Sequence, residues 1–254
     1  MFIDTTHRSK APEIMDDFGM EGEVLRDALD KIASINRLLG GNAVTLEGVQ
    51  ELLKPQKEME RLTGGLRVED TEIRILDLGC GNGDMLRTLA DYGIKNRLKL
   101  KLIGLDANAF TIGHATELSA GYPNIKYRCA DIFEELDADL SHRADHQYDI
   151  VLCTLTLHHF SDEEIIRLLG ALKKQSTTGI VINDLHRSAL AYYLFKALCF
   201  VFGLNYMSRE DGLVSILRGF KKKDLQAFSD RLGFKKDQIS WKWAFRYQWI
   251  IRTT

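Results

Sequence analysis

The residues best suited to chemistry lie in one run, Ile75-Leu76-Asp77-Leu78-Gly79-Cys80-Gly81-Asn82-Gly83-Asp84. An apolar segment of strand length enters glycines at alternate positions, and a helix-compatible pattern follows. In an open parallel sheet, ligands sit beyond the carboxyl ends of the strands. Glycines there accept positive φ and let a ligand approach the backbone closely. The spacing Gly79-x-Gly81-x-Gly83 is one residue shorter than the Gly-x-Gly-x-x-Gly pattern that seats a pyrophosphate on a helix N-terminus. Asp77 stands just before the turn and Asp84 just after it. Carboxylates at those points repel a pyrophosphate and suit a cationic amino group. A nicotinamide-dependent oxidoreductase is therefore the weaker reading of the turn.

Two further acids fall at expected strand ends. Asp106, after Leu100 to Leu105, is placed to accept both hydroxyls of a ribose, with Ala107 beside it; the plainer role for Asp106 is a helix cap. Asp131, after Ile125 to Cys129, is placed to accept the exocyclic amine of an adenine while Ile132 packs on the ring; the plainer role is a loop aspartate. Cys80, inside the glycine turn, belongs to the same expected contact set. Three histidines, His158, His159 and His186, fall at the ends of the fourth and fifth strand segments. Histidine is the natural base for a hydroxyl group near neutral pH. Each imidazole has the alternative of simply holding its loop, and His158 is the first choice for chemistry. His7, His114, His142 and His146 fall in expected loops or exposed helix faces.

Positioning these groups requires alternating strands and helices. Ile73 to Leu78, Leu100 to Leu105, Ile125 to Cys129, Tyr148 to Thr154 and Gly179 to Asn183 read as strands. Asp84 to Tyr92, Ala107 to Ala120 and Ser161 to Lys174 read as helices, the last with a Ser N-cap and an acidic first turn. This alternation predicts a parallel sheet covered on both faces. In front of it, Val24, Leu25, Ala28, Leu29, Ile32, Ile35 and Leu39 recur at helical spacing up to Gly40-Gly41. A second helical pattern carries Val49, Leu52, Leu53, Met59 and Leu62, with Pro55 expected to start or kink a helix and Thr63-Gly64-Gly65 to break it. The reading is a helical cap over residues 1–70 and the main domain over 71–254. Beyond the fifth strand come an apolar helix, Ala189 to Phe202, a helix from Lys223 to Leu232, and an aromatic-rich end, Ile239 to Ile251, suited to an antiparallel strand pair. The apolar helix suits a greasy pocket, although packing on the sheet as core is the more ordinary expectation.

Bulk properties narrow the function class. The 254 residues carry a formal charge of -2, so no basic field is available to hold nucleic acid. Lys221-Lys222-Lys223 reads as a solvated helix start. Cys80, Cys129, Cys153 and Cys199 form no Cys-x-x-Cys pair, which favours reduced thiols and a cytoplasmic protein over a disulfide framework or zinc cluster. The Ala189 to Leu204 stretch contains Lys196 and is too short for stable membrane insertion. No carboxylate cluster beyond the expected cofactor acids points to a metal.

The ordered series Leu-Asp77-Leu-Gly79-Cys80-Gly81-Asn-Gly83, then strand-end Asp106, then Ala-Asp131 resembles the motif series of class I S-adenosylmethionine-dependent methyltransferases. The resemblance implies a Rossmann-like, seven-stranded, mostly parallel α/β sheet whose last strand is antiparallel. It also implies S-adenosyl-L-methionine as cofactor: the turn at Asp77, Gly79 and Gly81 on the methionine part, Asp106 on the ribose, and Asp131 and Ile132 on the adenine. Amino-group methylases of DNA bases or protein glutamine usually carry Asn/Asp-Pro-Pro-aromatic after the fourth strand. Here Cys153-Thr154-Leu155-Thr156-Leu157-His158-His159-Phe160 has no proline and is similar to small-molecule methyltransferases, including those of quinone biosynthesis. Pro12 to Asp17, Ile35 to Gly41 and Asn183 to Ser188 resemble bacterial methyltransferases associated with polyketide-type phenolic products. That resemblance implies O-methylation of a small hydroxylated aromatic or quinol, with or without an alkyl tail. A non-catalytic S-adenosylmethionine-binding protein is the other reading, because methyl transfer demands no invariant catalytic side chain.

Overall fold

The apolar segments form the strands expected of them. In the computed structural model, which describes residues 3–62, 72–137 and 148–253 with the side chains of 55–62 excepted, the main strands are β1 (Ile73–Leu78), β2 (Leu100–Asp106), β3 (Ile125–Cys129), β4 (Tyr148–Thr154) and β5 (Ser176–Leu185). Two more, β6 (Asp237–Lys242) and β7 (Arg246–Arg252), complete a seven-stranded sheet in the order β3-β2-β1-β4-β5-β7-β6. Strands β1 to β5 are parallel. Strand β7 runs antiparallel to β5, and β6 antiparallel to β7. The order reverses between β1 and β4, so the crevice of this doubly wound sheet opens at their carboxyl ends.

Strand alternation divides the core into two layers. On one face Ile75, Leu102, Ile150, Leu152 and Val181 meet α2 (Gly41–Leu62) and α3 (Asp84–Asn96). On the other, Leu76, Leu105, Val151, Ile180 and Trp249 meet α6 (Asp162–Gln175) and α9 (Lys222–Leu232). Ser161 caps α6 by accepting from the Glu164 amide, and Glu164 closes the capping box. The remaining helices are α1 (Glu23–Leu38), α4 (Ala109–Leu118), α5 (Ile132–Asp137), α7 (Ala189–Val201) and α8 (Tyr206–Arg218). Among the described residues, no helix is long and apolar enough to cross a membrane.

Several elements differ from the sequence reading. Helix α2 runs unbroken through position 55, where the proline was expected to start or kink a helix. Helix α8 was not foreseen. Helix α7 is not a core helix: of its residues only Ala191 and Cys199 are buried, while Leu190, Leu194, Phe200 and Val201 are exposed. It packs on α8, which in turn packs on α1, so the three roof the carboxyl edge of the sheet. His114 is buried, its Nε2 2.8 Å from Asp30 Oδ1, rather than lying on an exposed helix face. The expected break at Thr63-Gly64-Gly65, the boundary near residue 70, the side chains of Met59 and Leu62, and His142 and His146 lie outside the described residues.

Candidate active site

The turn after β1 is built from backbone that side chains resist. Gly79, Gly81 and Gly83 all have positive φ, at 66°, 51° and 77°. At Gly79 a Cβ would lie 2.6 Å from both Oγ1 and Cγ2 of Thr156. Thr156 is held there, because its hydroxyl donates to the Leu78 and Thr154 carbonyls at 3.0 and 3.1 Å. Gly79→Ala is therefore expected to destabilise the fold by about 2–4 kcal/mol, combining a left-handed alanine with overpacking against a fixed side chain. A urea-denaturation midpoint equal to wild type would show that the turn relaxes freely.

All eleven residues singled out in the sequence, Asp77, Gly79, Cys80, Gly81, Asp106, Ala107, Asp131, Ile132, His158, His159 and His186, line one cavity of about 480 Å³. This is the size range of small-molecule and cofactor sites. At the glycine end, Asp77 is only 2% exposed and its Oδ1 has no hydrogen-bond partner. Burial, with the nearby Asp106 charge adding to it, pushes its carboxyl up to about 8. Asp106 is also raised by burial. Its Oδ2 accepts the Gly81 amide at 3.1 Å and its Oδ1 the Asn108 amide at 3.0 Å. The helix cap of α4 is Asn108, not Asp106. With the Ala107 amide as a third backbone donor, the carboxylate still keeps a lone pair for a further donor. Asp131 does serve its own chain, with Oδ1 accepting the amides of Phe133 and Glu134 at the start of α5. Ile132 beside it is buried.

At the other end, a short turn, Leu157 to His159, follows β4 and brings two imidazoles side by side, with ring centroids 4.3 Å apart. His158 is buried, with Nδ1 2.7 Å from Asp184 Oδ1 at the end of β5, while the Asp184 Oδ2 accepts the His158 amide at 3.1 Å. Burial alone would raise Asp184; its charge interaction and hydrogen bond with His158 outweigh that and hold it below the usual carboxylate range. The His158 Nε2 is buried without a hydrogen-bond partner. His159 is tied through Nδ1 to Asp16 Oδ1 at 2.7 Å. Both Nε2 atoms face Glu13, at 3.6 and 3.9 Å from its carboxylate oxygens.

Glu13 and Asp16 belong to the Pro12 to Asp17 segment, which the sequence marks only by its resemblance and without a chemical role. Asp211 of α8 fixes it by accepting the Ile14 and Met15 amides at 2.6 and 3.0 Å. Ser215 donates to Glu13 Oε2 at 2.7 Å. Burial pushes the Glu13 carboxyl up to about 7. The Glu13, His158 and His159 ligand atoms lie within 4.8 Å of one another, a grouping capable of holding a metal ion. Arg218 already brings positive charge there, with Nη1 2.6 Å from Asp16 Oδ2 and 3.6 Å from Glu13 Oε1. Arg218 and Arg8 also hold the His158 carbonyl, each at 3.1 Å, so the turn is braced from outside. His186 lies apart from this cluster. Its Nδ1 accepts from Trp241 Nε1 at 3.3 Å, its ring sits against Phe245 and Tyr247, and burial holds it below the usual histidine range.

Between the two ends the roof is apolar. Leu25 and Leu29 of α1, Phe195 and Leu198 of α7, Leu204, and Ile216 of α8 all line the cavity. Arg37, on the outer side of α1, makes an ion pair with Asp84 at 2.8 Å and is two-thirds exposed.

Residues 75–179 match the family model of a methyltransferase domain. That stretch is similar to a methyltransferase domain, and the sheet order is that of the Rossmann-like, class I fold. The match runs from within β1 to the start of β5 and contains the glycine turn, Asp77, Asp106, Asp131 and the His158-His159 pair. Solved structures agree on the fold. The plantazolicin methyltransferase BamL, crystallised with S-adenosylhomocysteine (SAH) and a triazolic desmethylplantazolicin analogue, is 12% identical. This chain covers 89% of itself and 90% of BamL in that match, with a TM-score of 0.61. The CurJ carbon methyltransferase is 16% identical with a TM-score of 0.52 over 72% of this chain, and the citrinin polyketide synthase CMeT domain is 17% identical with 0.51 over 71%. The chain spans about half the length of these two, 49% and 46%. No curated protein matches the sequence. The cavity lies at the reversal of strand order, where open α/β sheets take their ligands.

Proposed function

We infer that the protein transfers the methyl group of S-adenosyl-L-methionine to a small, hydroxylated aromatic or quinol-like acceptor, at oxygen. The observation that carries this reading is one cavity joining an unpaired buried carboxylate, Asp77, to a carboxylate-held imidazole, His158. The residues present fit the cofactor. Asp77 Oδ1 is an orphaned acceptor in a site that fits an ammonium group, and Gly79 leaves open backbone that a Cβ could not share with Thr156. On this reading Asp77 holds the amino group, the Gly79–Gly81 backbone with Cys80 lies along the methionine chain, and Asp106 with Ala107 takes the ribose. Asp131 and Ile132 border the adenine. When bound, the cofactor supplies an electrophilic methyl on a sulfonium.

The chain's own residues do the rest. The roof of α1, α7 and α8 holds an apolar acceptor and excludes water. Asp184 fixes the His158 tautomer, so that Nε2 carries the lone pair that takes the acceptor's hydroxyl proton. Glu13, whose carboxyl is raised to about 7 by burial, lies 3.6 Å beyond that nitrogen and can share the proton. His159 and His186 border the acceptor. Positioning accounts for much of the catalysis in a reaction of this kind.

The test is ligand binding followed by turnover. SAH and S-adenosylmethionine should stabilise the protein in thermal-shift measurements, and NAD should not. Asp106→Ala should weaken SAH binding by about 100-fold, as expected for two hydrogen bonds to a charged acceptor. Unchanged affinity by titration calorimetry would remove Asp106 from the site. Binding without turnover on any phenol or quinol would favour a non-catalytic role.

A further inference from the structure

The cavity contains one charged group that neither the fold nor the proposed chemistry uses. Arg246, the first residue of β7, is 4% exposed and lines the cavity. Its Nε and Nη1 are fully enclosed and have no hydrogen-bond partner among the described residues. A guanidinium presents five donors in a planar fork, and leaving them unpaired away from water is costly. Burial lowers it to about 10, which still leaves it cationic at neutral pH. The anion whose charge favours it is Asp184, and that carboxylate is committed elsewhere. Its Oδ1 accepts from His158 Nδ1 and the Leu185 amide, and its Oδ2 from the His158 amide.

The surroundings keep the group in place. Arg246 pairs in register with Leu185 across β5 and β7. At the start of α2, a Cβ on Gly41 would lie 3.1 Å from the Arg246 Cζ, so the glycine leaves room for the guanidinium. Asn36 lies on the same side, and its Oδ1 is likewise buried without a partner. A guanidinium held in the wall of a ligand cavity with donors left unpaired is the chemistry that recognises a carboxylate.

We propose that Arg246 is a carboxylate-binding group of the cavity, pairing with an anionic carboxylate of a bound ligand. The inference rests on the reading of this cavity as the cofactor and acceptor pocket. Two sources supply that chemistry: the amino-acid carboxylate of the cofactor, and an acid group on the acceptor. In the second case the enzyme methylates hydroxylated aromatic acids rather than neutral phenols.

Titration calorimetry on wild type and Arg246→Gln distinguishes them. The first arm compares SAH with its decarboxylated analogue, 5′-(3-aminopropylthio)-5′-deoxyadenosine. The second, on SAH-saturated protein, compares salicylate with 2-hydroxybenzyl alcohol and 3-phenylpropionate with 3-phenylpropanol. Arg246 as a carboxylate site requires that wild type prefer the acid by about 30-fold or more in one arm and that Arg246→Gln abolish the preference. The first arm responding identifies the cofactor's carboxylate as the occupant, and the second identifies the acceptor's. Arg246→Lys keeps the charge without the fork, so its preference should fall between the two; it also serves should the glutamine variant not fold. Equal acid preference in wild type and variants in both arms overturns the proposal while leaving the methyltransferase reading intact. Failure of wild type to bind SAH at all overturns that reading instead.

Discussion

His158→Ala is expected to lower the methyl-transfer rate by about 100- to 1,000-fold, within the range that general-base groups contribute, while SAH affinity changes by less than about threefold. The split follows from geometry. His158 touches Asp184, Glu13 and the cavity, and none of its hydrogen bonds reaches the glycine turn or Asp106. Removing the imidazole leaves Asp184 buried with only backbone donors, and an uncompensated buried charge endangers the fold. His158→Asn addresses this, since its amide can donate to Asp184 where Nδ1–H did but offers no basic nitrogen toward the acceptor. Both variants should show the loss in kcat with little change in KM, and the asparagine variant should keep wild-type melting behaviour. The pH–rate profile adds a readout that a structural role would not move, because the acid limb that reports the base should vanish in the asparagine variant. An unaltered rate would leave His158 as a brace for its turn.

The parts of the site written in consecutive residues were legible. The glycine turn, Asp106 and Asp131 each sit where a strand runs into a helix, and strand–turn–helix order is a local property. The parts assembled by tertiary contact were not. Asp184 ends β5 and meets His158 only because β4 and β5 are neighbours in the sheet. Glu13 reaches the histidines through α8, and α8 itself gave no apolar periodicity because Ser208, Asp211, Ser215 and Arg218 occupy its inner face. Of these, Asp211 and Ser215 hold the Glu13 segment and Arg218 holds the His158 turn rather than filling a core. Helix α7 misled in the opposite sense. Its apolar residues suggested core, yet it roofs a cavity, so one side lines the ligand space and the other faces outward. Arg246 heads a run whose aromatic and aliphatic residues, Tyr247, Trp249, Ile250 and Ile251, announce a buried strand. Nothing in that pattern reveals that the cation at its start buries two nitrogens without a hydrogen-bond partner among the described residues.

Asp77→Asn is expected to act in opposite directions on the free and the bound protein, and pH separates the two effects. A carboxyl raised from an unfolded value of 3.8 to about 8 holds its proton in the ligand-free fold at neutral pH. Between those two pH values the native state binds more protons than the unfolded chain, so stability falls as pH rises, by a total on the order of 5 kcal/mol. Asparagine cannot ionise and removes that loss. Ligand-free Asp77→Asn should therefore melt at least about 5 °C above wild type at pH 8 and close to it at pH 4. Binding runs the other way. An ammonium placed against Asp77 favours the carboxylate, so SAH binding at pH 7 should release close to one proton from wild type and none from Asp77→Asn. Calorimetry in buffers of different ionisation enthalpy measures that proton directly. The lost charge pair should also weaken SAH by about 30-fold or more. A variant that binds SAH as wild type does, with the same proton count, would separate Asp77 from the cofactor's amino group. Its raised carboxyl would then be a cost of the buried glycine turn alone.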